Sequence, residues 1–195
     1  MNTGLALSLE WIQEIGGVCM KTRVAQATTI VLFALVMGVF WGTWFSLSRT
    51  MDQLSGETFV AVGHQMIQNL GVPMAILLPL SLVSALVTLV LLWQAGRGAA
   101  FWWALTGFLL MVTALVITLA VEVPIDNQIS TWTAATLPGD WRSIQSRWEL
   151  FHTIRTFMSI AALAAVTISA TVASPAAVSA SGRRLTHDTG FVRSL

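Results

Sequence analysis

The stretch VPMAILLPLSLVSALVTLVLLW, residues 72–93, decides the fold class, because it contains no charged residue. A helix rises about 1.5 Å per residue and the hydrocarbon core of a bilayer is about 30 Å thick, so about 20 such residues span a membrane. Three further apolar stretches of sufficient length occur at residues 24–47, 99–121 and 151–173. The sequence therefore predicts four transmembrane helices.

The composition of the whole chain agrees with a location in the membrane. Only 10% of the 195 residues are charged, whereas soluble domains contain about 25%, and the mean hydropathy is +0.75. The net charge of +1, with no basic cluster, argues against nucleic-acid binding. The single cysteine, Cys19, excludes an intrachain disulfide and CxxC redox chemistry.

The connections between the spans differ in length. Residues 94–98 form a tight turn, whereas residues 48–71 and 122–150 form two long loops at the opposite end of the bundle. Connections of that length usually have structure or function of their own. We therefore expect an all-α, integral membrane four-helix bundle with a helical outer cap formed by the two long loops.

The first long loop contains a helical pattern of apolar residues between Glu57 and Leu70. Ser55 can cap the amino end of this helix, and Gly71 and Pro73 would end it. The pattern predicts a separate helix that lies across the mouth of the bundle.

The chain divides into an N-terminal cytoplasmic or interfacial segment, residues 1–23, a transmembrane domain, residues 24–173, and a flexible tail, residues 174–195. Six of the ten basic residues fall on the side of the tight turn and the two termini: Lys21, Arg23, Arg97, Arg183, Arg184 and Arg193. Cytoplasmic loops are enriched in lysine and arginine. The distribution predicts a multi-pass protein of the cell membrane with both termini in the cytoplasm.

A polar and aromatic stripe leads into the fourth span. Its members recur every three or four residues and so share one helical face: Trp141, Gln145, Trp148, His152, Arg155 and Ser159. Lipid would penalise an exposed arginine or histidine, so the stripe should face the bundle interior. An ionisable residue at membrane depth indicates a functional site, although Arg155 could instead extend to the interface beside a packed His152.

Glu122 lies where the third span ends, and Pro124 disturbs the helix beside it. Its carboxylate could form a structural ion pair with Arg155 or Arg147, or take part in catalysis. His64, on the polar face of the first long loop, would complete a set of two histidines and one carboxylate with His152 and Glu122. Such a set suits non-haem iron or copper, although its members lie on separate segments and no HExxH motif is present.

Several tryptophans are placed where they could line a pocket. Trp41 and Trp44 fall at the outer end of the first span, near the expected mouth, and Trp148 belongs to the polar stripe. Aromatic walls suit a flat, apolar ligand. We expect the lipid bilayer and a lipophilic small molecule as partners, and assembly into a homo-oligomer is left open.

Three segments resemble the anthrone-oxygenase-like family of small four-helix membrane proteins: FWGTWFSLSRTM at 40–51, VEVPIDNQISTWTAATLPGDW at 121–141 and RWELFHTIR at 147–155. The resemblance extends over residues 34–170. It implies a four-helix membrane fold and an enzyme that adds oxygen to an anthrone, usually without an obvious cofactor. It also draws Asn127 and Trp141 into the expected substrate pocket.

The leading hypothesis is a membrane-embedded oxidoreductase, oxygenase-like, that acts on a lipophilic, aromatic or quinol-type substrate at the outer interface. His152 would be a general base or metal ligand, Arg155 would stabilise an enolate, and Glu122 would orient one of them. One alternative is a copper or non-haem iron oxidase that uses His64, His152 and Glu122. Another is a non-enzymatic binding or subunit protein. The sequence therefore leaves open whether the chain uses no cofactor, copper or iron.

Overall fold

A computed structural model describes residues 3–51 and 53–173, with side chains described from residue 20 onward except at position 49. The described residues form helices and turns. The six α-helices, in chain order, are α1 (Thr3–Thr43), α2 (Arg49–Met51), α3 (Gly56–Gln94), α4 (Ala99–Ile117), α5 (Val123–Ile129) and α6 (Trp141–Val172). Two π-helical segments interrupt them, the first at Trp44–Ser48 and the second at Thr118–Glu122.

Four helical stretches are long and apolar enough to cross a membrane: Met20–Ser48, Gly56–Gln94, Ala99–Ile129 and Trp141–Val172. Large apolar side chains lie on their outer surfaces, where water would penalise them and lipid would not, including Val31, Leu35, Val83, Val87, Leu109 and Val116. The prediction of an all-helical, multi-pass membrane protein with four spans is confirmed. The side of the membrane on which the termini lie stays a prediction.

The prediction that Gly71 and Pro73 end a separate cap helix is wrong, because α3 continues through both residues. Proline removes one backbone hydrogen bond, to the carbonyl four residues earlier. A full break at membrane depth would leave several backbone groups unpaired in lipid. A continuous helix, which loses one hydrogen bond, therefore costs less free energy. The predicted cap at Ser55 is present, since its hydroxyl accepts a hydrogen bond from the Thr58 amide at 3.3 Å.

The cap of the bundle is built from the ends of the membrane helices. At about 1.5 Å per residue, the 39 residues of α3 extend about 58 Å, well beyond a hydrocarbon core of about 30 Å. The excess lies at the end opposite the tight turn, which we call the loop end. An apolar core holds this end together, formed by Met51, Phe59, Val60, Ile125, Ile129, Trp132 and Trp148.

The division of the chain at residues 23 and 24 stays a prediction, and the backbone of α1 runs from Thr3 into the first span. The predicted tail, residues 174–195, lies outside the described residues.

Within the membrane, small and hydroxyl side chains join the helices. Thr29 on α1 contacts the hydroxyls of Ser84 and Thr88 on α3, both at 2.9 Å. Ser169 on α6 donates to the Ala100 carbonyl at 2.7 Å. Because lipid tails are as apolar as the helices, close packing and such polar contacts drive association of membrane helices.

Two helices approach closely at Gly107 of α4, which packs against α6. A Cβ at this position would lie 2.9 Å from the Ala162 carbonyl oxygen and 2.7 Å from Cγ1 of Val166. We therefore expect Gly107→Ala to lower the free energy of unfolding by about 1–3 kcal/mol through overpacking. Thermal unfolding in detergent, followed by circular dichroism, measures the change.

Gly38→Ala is the matched control, since a Cβ at Gly38 of α1 meets no atom within 4 Å. It gains the same helix propensity as Gly107→Ala without the contact. Equal stability of the two variants would contradict close packing of α4 on α6.

Candidate active site

The stripe on α6 faces the bundle interior, as its spacing predicts. Its members Gln145, Trp148, His152, Arg155 and Ser159 are all buried. Spacings of three and four residues keep them on one face of a regular helix. A regular helix alone therefore places Arg155 and His152 at the interface between α6 and its neighbouring helices.

The second π-helical segment directs side chains of the third span toward this stripe. Pro124 has no amide hydrogen, and its ring would clash with the carbonyl of residue 120 in a regular helix. The helical turn just before Pro124 is wider than an α-helical turn, so that the Val123 amide donates to the carbonyl of Thr118, five residues earlier. Such π-segments are frequent at functional sites. Here the widened turn presents both Thr118 and Glu122 to Arg155.

Arg155 is the centre of the site. Its Nη2 lies 2.8 Å from Oε2 of Glu122 and its Nη1 donates to Oγ1 of Thr118 at 3.0 Å. Nη2 and Nε also donate to Nδ1 of His152, at 2.8 and 3.2 Å. The guanidinium carbon lies 4.5 Å from the ring centre of Phe40 on α1. Three of the four spans thus contact one buried cation.

His152 is held in one tautomer by these contacts. A guanidinium has only donors, so Nδ1 must accept, and a neutral ring then carries its proton on Nε2. The Trp148 ring stacks on the imidazole with centroids 4.7 Å apart and an interplanar angle of 4°. The Phe40 backbone lies close by, yet Nε2 has no partner in hydrogen-bond geometry among the described residues. His152 is therefore arranged to donate a proton from Nε2 rather than to accept one.

Glu122 is fully buried and contacts the guanidinium of Arg155. Its contact with Arg155 is an ion pair, because neither carboxylate oxygen has a hydrogen-bond partner of ordinary geometry in the described chain. Nδ1 of His152 is 3.9 Å from Oε2. Of the two ion pairs that the sequence left open, the structure contains the one with Arg155, while Arg147 is exposed.

Asp126 is the site residue that sequence reasoning missed. It is half-buried, one helical turn beyond Glu122, and its Oδ1 accepts a hydrogen bond from Nε1 of Trp148 at 3.2 Å. Unlike Glu122, it lines the cavity beside Arg155. The four-residue spacing from Glu122 is the signal that could have identified it.

A cavity of about 370 Å³ lies against this cluster, within the range of about 300–1,000 Å³ that small-molecule sites occupy. Its polar side chains are few and its surface is mostly apolar. The polar side chains come from α1, the third span and α6: Thr43, Thr118, Asp126, Trp148, His152 and Arg155. The apolar surface comes from α1, α3 and the third span, including Phe40, Met66, Leu70, Met74, Leu78, Leu115 and Leu119.

Of the tryptophans and the amide predicted to line a pocket, only Trp148 lines this cavity. Trp44 donates to Thr153 on another face of α6, and Trp41 packs against Trp44 with tilted rings and is exposed. Trp141 packs on Phe59 in the apolar core of the loop end, and Asn127 is exposed. Helical spacing assigns a residue to a face, but it does not show which neighbouring helix that face meets.

The predicted metal set of His64, His152 and Glu122 is not supported. Over the residues that the structure describes, no three histidine, cysteine, aspartate or glutamate side chains could hold an ion together. Nε2 of His64 is instead 3.0 Å from the Ile129 carbonyl in the loop end, and Nδ1 of His152 is occupied by Arg155. The copper or iron alternative therefore loses its ligand set.

The buried ion pair predicts a large stability change. Glu122→Gln should lower the free energy of unfolding by about 3–5 kcal/mol, because it leaves Arg155 buried without its counter-ion. Thermal or denaturant unfolding in detergent measures the loss. The double variant Glu122→Gln/Arg155→Gln should lose less than the sum of its two single variants.

Glu57→Gln serves as the control, since Glu57 is exposed in the first turn of α3. This change should lower the free energy of unfolding by no more than about 1 kcal/mol. If Glu122→Gln and Glu57→Gln have equal effects, Glu122 is not the counter-ion of Arg155.

One family model, described as anthrone oxygenase, matches residues 68–165. The match begins within α3, ends within α6, and contains Thr118, Glu122, Asp126, His152 and Arg155. No curated protein and no solved structure shows a significant match. Because the family model covers half of the chain and the whole charged cluster, the chain belongs to the anthrone oxygenase family.

Proposed function

We propose that the protein is a membrane-embedded oxygenase that uses dioxygen to oxidise a lipophilic aromatic ketone with an acidic C–H bond, of which anthrone is the type. The observation that carries the proposal is that Arg155 and Asp126 both line one mostly apolar cavity. A cation and a carboxylate in such a place can remove a proton and stabilise the anion that results. Family membership supports oxygenase-type activity independently.

The cavity favours the anion more than the neutral substrate. A neutral, flat ketone can bind through the apolar wall formed by Met74, Leu78 and their neighbours. Once a proton is removed, negative charge develops on the ketone oxygen, and the buried guanidinium of Arg155 stabilises it. Because that interaction strengthens as the reaction proceeds, it lowers the barrier rather than merely tightening binding.

Asp126 is the proposed general base. It is the carboxylate that lines the cavity, and the Trp148 indole holds its Oδ1 in place at 3.2 Å. Glu122 is sequestered behind Arg155 and acts as the counter-ion. His152 positions Arg155 through Nδ1 and directs its Nε2 proton away from that contact, so it is a donor and not the base.

The reaction balances with dioxygen as the oxidant. Asp126 takes one proton from the methylene carbon, and the enolate transfers an electron to dioxygen. The resulting radical pair combines to form a C–O bond, and the peroxide anion takes back the proton from Asp126. Loss of the second C–H proton with cleavage of the O–O bond forms the new carbonyl and releases water. One anthrone and one dioxygen thus give one anthraquinone and one water.

The location of the site follows from the same proposal. The cavity lies between the membrane core of the bundle and the loop end, in the half opposite the tight turn that contains Arg97. Lys21, Arg23 and Arg97 group at the tight-turn end, which supports a cytoplasmic position for that end in the cell membrane. The site would then face the outer leaflet.

The assignment of Asp126 is tested by Asp126→Asn. This change keeps the shape and the acceptor oxygen but removes the base, so kcat for anthrone oxidation should fall about 100-fold or more, with binding of anthraquinone retained. Product formation is followed by absorbance under air with protein in detergent, and uncatalysed oxidation is subtracted.

Asp140→Asn is the matched control, because Asp140 is an exposed carboxylate outside the cavity and its loss should leave kcat unchanged. Equal rates in the native protein and Asp126→Asn would exclude Asp126 as the base. Binding of anthraquinone by the native protein without any turnover above background would instead favour the non-enzymatic binding protein.

A further inference from the structure

The wall of the cavity is closed on one side and open on the other. On α1 and α6, the lining residues Phe40, Trp148 and His152 are buried. On the third span, the lining residues Leu119 and Val123 are 59% and 39% exposed. Three lining residues on α3 are also exposed: Gly71, Ala75 and Pro79. The opening therefore lies between α3 and the third span, and we call it the seam.

The seam lies between two helices whose mutual packing is limited. α4 packs extensively on α6, and α3 packs less extensively on α4. The gap is wide at Gly71 on α3, where an added Cβ would meet no atom within 4 Å. The opening therefore follows from the arrangement of the helices.

The depth of the seam can be counted from the tight turn. Counted from Gln94 at the end of α3, Pro79 and Gly71 are 15 and 23 residues away, and counted from Ala99 at the start of α4, Leu115 and Val123 are 16 and 24 residues away. At about 1.5 Å per residue, the seam extends from about 23 to about 36 Å above the turn. A hydrocarbon core about 30 Å thick would end within this interval. Both sides give nearly the same depth, so the opening faces the boundary between acyl chains and headgroups.

The surface around the seam is apolar. Val72, Ile76 and Leu80 on α3 are 69%, 60% and 48% exposed, and Val116 on α4 is 56% exposed. Side chains of this kind face acyl chains in a membrane. The molecules that reach the seam are therefore those dissolved in the lipid.

We propose that the seam is a lateral portal through which a neutral, flat, apolar molecule passes from the bilayer into the cavity. The identification of that molecule as the substrate rests on the proposed function, whereas the route does not. Entry from lipid selects for uncharged ligands, because a charged one would have to leave the headgroup region to pass Leu119 and Ala75. The site thus receives the substrate in its protonated, neutral form, and the charge is generated only beside Arg155.

A bilayer-soluble photoprobe tests the route without any need for turnover. The native protein is reconstituted into phosphatidylcholine vesicles with 3-(trifluoromethyl)-3-(3-iodophenyl)diazirine, a neutral aromatic carbene precursor, and illuminated. Labelled residues are identified by mass spectrometry. We expect label on Phe40 and Trp148 inside the cavity as well as on lipid-facing Val83. Anthraquinone should reduce the label on Phe40 and Trp148 only.

Two variants on opposite edges of the seam, Ala75→Trp and Val123→Trp, should lose the label on Phe40 and Trp148 and keep it on Val83. Leu80→Trp is the matched control, since Leu80 lies on α3 among lipid-facing residues and does not line the cavity. Its labelling should equal that of the native protein. Thermal unfolding confirms that each variant is folded, and Ala75→Leu replaces Ala75→Trp if the larger change prevents folding.

The proposal is overturned if Val83 is labelled in the native protein while Phe40 and Trp148 are not, because the cavity is then closed to the bilayer. It is also overturned if cavity labelling persists in both seam variants, since the probe then enters elsewhere. Labelling that depends on the seam in a protein without anthrone turnover keeps the portal and rejects the proposed reaction. The two proposals therefore fail separately.

Discussion

A buried arginine at membrane depth constrains much of the structure. Arg155 is 8% exposed, so its charge is largely removed from solvent. A charge in such surroundings costs several kcal/mol unless it is paired and its donors are satisfied. Glu122 supplies the opposite charge, and Thr118 and His152 accept the remaining hydrogen bonds. The third span and α6 must therefore meet at this point in a defined register.

The irregular backbone of the third span follows from that requirement. A regular α-helix places residues four apart about 40° away from perfect alignment. The wider turn of the π-segment changes this angle, and Thr118 and Glu122 within it both contact Arg155. Pro124 makes the widening local, because its missing amide hydrogen and its ring both disfavour an ordinary turn before it. One proline thereby contributes to presenting Thr118 and Glu122 to the same guanidinium.

Two carboxylates one turn apart occupy different environments. Glu122 is enclosed behind the arginine, whereas Asp126 lies at the cavity wall with an indole donor. Because Glu122 is enclosed, it can only neutralise the charge of Arg155. Because Asp126 lines the cavity, it can contact a ligand. The same argument applies to His152: because Arg155 occupies Nδ1, the ring orients the arginine and has its proton on the other nitrogen, Nε2. Environment, rather than residue type, separates the roles in this site.

The sequence by itself determined the features that depend on one segment alone. Length and apolarity established four spans, and the spacing from Trp141 to Ser159 established which face of α6 turns inward. The tertiary structure alone decided which groups from separate helices meet. It joined Glu122 to Arg155 rather than Arg147, formed a cavity lined by the predicted Trp148 and by Asp126 but not by Trp41 or Trp44, and kept α3 continuous through Pro73. The physical reason is that periodicity fixes the direction of a side chain about its own helix axis. Contacts between helices depend also on their packing and relative depth, which residues far apart in the chain determine together.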